Sequence, residues 1–120
     1  MESFREFEAG PDPFGRAWRV EFQWLLTAIS LRHSDSVDVK FALRCDDMRM
    51  TKTISLRHPD LLELSEKTGR PLSDSWCSRL AAEHLKHVIE TGEDMEKSLI
   101  IVSPGPLVEA NQRLLGRFAA

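Results

Sequence analysis

Apolar and polar residues alternate most regularly between Val37 and Leu56. Val37, Val39, Phe41, Leu43 and Cys45 share one parity and Asp38, Lys40, Ala42 and Arg44 the other, as in a strand with one buried face and β-branched or aromatic residues on it. Met48, Met50, Lys52, Ile54 and Leu56 form a second stripe. A two-residue turn at Asp46-Asp47 sets Cys45 opposite Met48, Leu43 opposite Met50, Val39 opposite Ile54 and Val37 opposite Leu56. Only the pair of Phe41 with Lys52 is not apolar on both sides.

Residues 17–32 also alternate, but the phase changes. Trp18, Val20, Phe22 and Trp24 have one parity, whereas Leu25, Ile29 and Leu31 have the other. A long strand bulged near Leu25-Leu26 accounts for this, as does a segment that is partly helical; the strand is preferred because the two following strands need a partner. A three-residue loop at His33-Ser34-Asp35 then places Leu31 opposite Val37 and Ile29 opposite Val39. The expected outcome is an antiparallel three-stranded meander.

The period changes to that of a helix beyond His58-Pro59. Asp60 to Thr68 reads as a short helix stopped by Gly69, and Asp74 to Thr91 as the main one, opened by Ser73 as N-cap and closed by Gly92. At ~100° per residue, Trp76, Cys77, Leu80, Ala81, His84, Leu85, Val88 and Ile89 fall in one sector, with Arg79, Glu83, Lys86 and Glu90 opposite. Ser98 to Val102 reads as a short buried strand ended by Ser103-Pro104-Gly105-Pro106. Leu107, Ala110, Leu114, Leu115 and Phe118 then recur at helical spacing. The fold class expected is α+β: an antiparallel three-stranded meander packed on one main helix, with a short extra strand and a C-terminal helix. Residues 1–16, broken by Gly10-Pro11-Asp12-Pro13 and Gly15, form an extended N-terminal arm whose Phe4, Phe7 and Phe14 lie against the domain or a neighbouring subunit. Residues 17–120 make up a single domain.

With 120 residues, 42% hydrophobic and 29% charged, the chain has the balance of an ordinary globular domain able to bury a core. Its 16 basic and 19 acidic side chains leave a net charge of −3, without the clustered cationic surplus that nucleic acid or anionic lipid calls for. Apolar runs such as Leu99 to Val102 fall far short of the ~20 residues of a bilayer span. The expectations are a cytoplasmic location, no membrane partner and nucleic acid as an unfavoured one. Cys45 and Cys77 lack a C-x-x-C context and lie on apolar stripes, where reduced thiols pack as small hydrophobes.

Candidate chemistry is sparse. Imidazole and carboxylate meet within Glu83-His84-x-x-His87-x-x-Glu90, and His84, His87 and Glu90 are the candidate ligand or metal residues. The helical projection fans these side chains outward and the zincin spacing is missing, so no metal and no cofactor is expected. Glu90, Glu93, Asp94 and Glu96 crowd a helix end where acids are mildly unfavourable; a cation or a basic partner surface would explain them, but charged loops are usually just solvated and no EF-hand spacing is present. His33 with Asp35 and His58 with Asp60 lie near serines, but no G-x-S-x-G elbow, P-loop or G-x-G-x-x-G accompanies them. The polar side of the meander carries Lys40, Arg44, Arg49 and Arg57 among Thr51, Thr53 and Ser55, opposed by Asp38. Such a face could hold RNA, although RNA-binding sheets stack bases on exposed aromatics and Phe41 belongs to the apolar side; an acidic protein segment is as good a ligand, and a solvated strand face is the commonest case.

No motif names a reaction, and catalytic residues are not identifiable. The reading is of a small protein-binding or regulatory module acting as a homo-oligomer, most simply a homodimer, with Trp18, Val20, Phe22 and Trp24 as its candidate interface. A metal-dependent protein using His84, His87 and Glu90 is the alternative, and an RNA-binding sheet the weaker one.

Overall fold

A computed structural model describes residues 4–28 and 35–119. Five strands form one mixed sheet in the order β1-β2-β3-β4-β5, and three helices accompany it. The strands are β1 (Glu6–Ala9), β2 (Trp18–Ala28), β3 (Ser36–Cys45), β4 (Met48–Arg57) and β5 (Leu99–Val102); the helices are α1 (His58–Thr68), α2 (Asp74–Thr91) and α3 (Pro104–Ala119). Extents of 40 × 39 × 22 Å are those of two layers.

The hairpin of β3 and β4 has the register its stripes require, from Cys45 with Met48 to Val37 with Leu56. Asp46, at φ 53°, makes the turn; aspartate tolerates the left-handed region better than most residues. The β2–β3 pairing differs from the sequence expectation. Leu25 stands opposite Val39 and Thr27 opposite Val37, in the places expected for Ile29 and Leu31. Ile29, Leu31, His33 and Ser34 lie outside the described residues.

The phase change in β2 is a bulge, located between Phe22 and Trp24 rather than at Leu25-Leu26. Gln23 is the extra residue. The bulge lets Trp18, Val20, Phe22 and Leu25 all face the helices while Trp24 and Leu26 turn to the other side. Within the N-terminal segment, Glu6–Ala9 pairs with β2 and becomes an edge strand, placing Phe7 and Ala9 in the core. Asp12 closes the loop that follows, accepting hydrogen bonds from Trp18 Nε1, Arg16 N, Arg16 Nε and Phe14 N. Burial alone would raise the pKa of Asp12, but these donors outweigh it and hold the carboxyl well below its ordinary range.

Helix α2 lies across the sheet. Ser73 Oγ accepts from Trp76 N at 3.2 Å, and Gly92 ends the helix at φ 78°. Pro13 comes so close to Gly92 that a Cβ there would meet its ring at 2.9 Å, so both backbone angle and space demand glycine. Leu80, Leu85 and Ile89 are fully buried, each contributing ~1.5–3 kcal/mol relative to exposure. The buried sector is wider than the sequence indicates, because α3 packs on a second side of α2. Glu83, assigned above to the solvent side, is 4% exposed, with Arg113 Nε of α3 at 3.9 Å. Pro104 and Pro106, taken as breakers, lie in the first turn of α3, where a missing N–H costs nothing.

Strand β5 runs parallel to β4, which requires the crossover through α1 and α2. Lys52, the anomaly in the apolar stripe, secures the end of that crossover. It is 3% exposed, and its ammonium donates to Met95 O at 2.7 Å and Lys97 O at 2.5 Å.

Candidate functional site: the uncovered face of the sheet

Leu61 and Leu64 of α1 and Leu107, Ala110 and Leu114 of α3 join the α2 side chains in one core against a single side of the sheet, so the opposite face has no second layer among the described residues. Its side chains follow from strand parity and register. One cross-strand row reads Glu8, Arg19, Arg44, Arg49 and the next Glu6, Glu21, Ala42, Thr51. A third reads Trp24, Lys40, Thr53, Leu99, and a fourth Leu26, Asp38, Ser55, Ile101.

The first row places Arg44 directly between Arg19 and Arg49. Like charges opposite one another in a sheet are destabilising, by a few tenths of a kcal/mol to ~1 kcal/mol. Arg19 is relieved by an ion pair with Glu6, and its pKa is raised by that hydrogen bond, by the charge of Glu6 and, further off, by Glu8 and Glu21. Among the described residues neither Arg44 nor Arg49 has an ion-pair partner. A depression of about 420 Å³ lies over this row, with Ala42 as a small floor and Arg19, Glu21, Arg44, Arg49 and Thr51 around it. Trp24, 37% exposed, borders the next row with Lys40 Nζ 5.7 Å from its ring centre, and Leu26 beside it is 57% exposed.

The four candidate interface residues are thus divided. Trp18 and Val20 are buried in the core of their own chain and Phe22 packs edge-on to Phe41, so of the four only Trp24 is exposed. Sequence reasoning picked out Lys40, Arg44 and Arg49, but missed that Arg19 and Trp24 share their face. The parity of Arg19 and Glu21 was the available signal, obscured by the unresolved phase of β2.

His84, His87 and Glu90 differ in exposure along α2, from buried through half-buried to exposed. His84 is 7% exposed in the seam between α2 and α3, and its Nδ1 has no hydrogen-bond partner among the described residues. Burial, with the charges of His87 and Arg113, lowers its pKa to about 4, leaving it neutral near pH 7. Its ring is 6.3 Å from that of His87, whose Nε2 is 3.9 Å from Glu93; Glu90 is exposed. No three His, Cys, Asp or Glu side chains among the described residues converge as metal ligands. The acidic turn after α2 is answered internally: Asp94 pairs with Lys97 at 3.0 Å, and Glu96 supports the charge of Lys52 against the burial that lowers its pKa.

His58 and Asp60 open α1, where an acid complements the helix dipole, and Arg57 is 3.9 Å from Asp60. Burial pushes the Cys77 thiol up to about 11, as expected of an inert core cysteine. No helix among the described residues is long and apolar enough to cross a membrane. No protein-family model, curated protein or solved structure matches this chain.

Proposed function

We propose that this chain is a small protein-binding module whose uncovered sheet face takes an acidic protein surface. The observation that carries this reading is the pair Arg44 and Arg49: two guanidinium groups without carboxylate partners among the described residues, in a row the fold makes repulsive, beside a depression of about 420 Å³. Carboxylates entering there relieve the row and accept paired guanidinium hydrogen bonds. Trp24 and Leu26 add apolar area next to the charges, the mixture common at protein interfaces.

Trp24 also gives the RNA reading one exposed aromatic beside a lysine. Against it, Trp24 is the one exposed aromatic among the described residues of this face, whereas sheet-based RNA modules stack two or three bases on their aromatics. A binding module is preferred over an enzyme because, among the described residues, the open face sets no nucleophile beside a base, and the two histidines of α2 lie elsewhere.

Fluorescence anisotropy with labelled hexaglutamate, hexalysine and a single-stranded oligonucleotide tests the reading. Hexaglutamate should bind best, more weakly as salt rises, and Arg44→Ala/Arg49→Ala should weaken it about tenfold. Tighter binding of the oligonucleotide would transfer the face to RNA, and hexaglutamate binding indifferent to both arginines would end the proposal.

A further inference from the structure

The acidic surface that this face takes need not come from a different protein, because the face carries one of its own. On its β1–β2 side stand Glu6, Glu8 and Glu21 against Arg19 alone. On its β3–β4 side stand Lys40, Arg44 and Arg49 against Asp38, with Arg57 already beside Asp60. The sheet face is therefore acidic along one margin and basic across its middle.

We infer that the partner is a second copy of this chain, packed face to face; the inference rests on the proposed acid-binding role of Arg44 and Arg49. A two-fold axis parallel to the strands and between β2 and β3 lays β1 of each copy over β4 of the other, and β2 over β3. Glu8 then stands over the partner's Arg49, and Glu21 one row from the partner's Arg44. By symmetry each contact occurs twice. Arg19 comes over the partner's Arg44, but its charge is already matched by Glu6. Ala42 leaves the centre open for the arginine side chains, and Trp24 and Leu26 lose their exposure under the partner's β3. Two sheets stacked in this way make a β-sandwich with layers ~10 Å apart.

The size of the face sets the strength. Four strands at ~4.8 Å spacing, the longer ones ~33 Å long and β1 shorter, give a footprint of roughly 500–600 Å² per copy. That is below the ~800 Å² per partner of a standard interface, as in a weak complex that dissociates at low concentration. Since the charges lie within a Debye length of one another across the interface, added salt should weaken it.

Sedimentation equilibrium of the full chain, at concentrations up to about 1 mM in low and in molar salt, is the first test; a dimer at low salt that salt dissociates is expected. The decisive test reverses charge on one side at a time. Arg44→Glu/Arg49→Glu and Glu8→Lys/Glu21→Lys should each be monomeric, with circular dichroism confirming that both fold, and an equimolar mixture should form the heterodimer alone. A wild-type monomer overturns the inference, as does a dimer that survives both reversals. A monomer whose hexaglutamate binding still depends on Arg44 and Arg49 removes only the self-association, whereas loss of that dependence removes the acid-binding reading itself.

Discussion

On the face under the helices, Val20, Val39, Phe41, Leu43, Ile54 and Leu56 are sealed from water, and Lys52, the one cation there among the described residues, donates to two backbone carbonyls. On the opposite face the same strands line up Arg19, Arg44 and Arg49 and leave Trp24 and Leu26 in solvent. A charge under the helices is tied to the fold by hydrogen bonds that would be costly to lose. On the open face Arg19 is held by Glu6, whereas Arg44 and Arg49 have no ion-pair partner among the described residues, and their mutual repulsion costs the fold little. Sequence alternation alone does not distinguish these two situations; the helix layer does.

Phe41→Ala should show the contrast most strongly. Its ring packs edge-on to Phe7 and Phe22 in a closed core, so urea denaturation should register a loss of about 3–5 kcal/mol, against under ~0.5 kcal/mol for Thr51→Ala on the other face. His84 supplies a pH-dependent version. Its folded pKa, about 4, lies below the ordinary histidine value, so the unfolded chain binds the extra proton first. Stability is then complete above roughly pH 6.5 and falls as the pH drops towards 4, by on the order of 2–3 kcal/mol. His84→Leu should flatten that part of the pH–stability curve, with Glu109, Asp94, His87 and Arg113 still in place around the site.

Lys52→Met should cost about 1–3 kcal/mol, because the carbonyls of Met95 and Lys97 lose their donor. Hydrogen exchange should rise between Glu93 and Ser98 while β3 stays protected. Asp12 has the carboxylate sign: its stabilisation is full above the ordinary aspartate pKa and lost as the pH falls below it. Asp12→Asn should reduce the acid sensitivity measured below roughly pH 4 by thermal melting. The smallest effect has the opposite direction. Arg44→Thr relieves a row of like charges and should raise stability by a few tenths of a kcal/mol while weakening self-association.

Local signals reported local structure well. The turn at Asp46-Asp47 and two matched stripes sufficed for the β3–β4 register, and Ser73 with Gly92 for the limits of α2. What escaped depended on contacts between distant segments. Glu6–Ala9 is too short to alternate visibly and is a strand only because β2 offers it an edge. Glu83 looks solvated until α3 brings Arg113 beside it. Pro104 and Pro106 stop a strand and start a helix with the same residues, and sequence alone favoured the first reading. For the site, Lys40, Arg44 and Arg49 were legible from β3 and β4, whereas Arg19 and Trp24 waited on a bulge whose location no composition rule supplied.

The parallel pairing of β4 with β5 also orders events in time. The β3–β4 hairpin joins neighbours in sequence and can close within microseconds, but pairing β5 with Ile54 and Leu56 must close the long loop that holds α1 and α2, which costs more chain entropy and is slower. Until then the outer edge of β4 stays unpaired beside its most hydrophobic stretch. During synthesis that edge emerges from the ribosome well before Leu99 does, so the nascent chain passes through an interval in which another strand of any origin can take the place of β5.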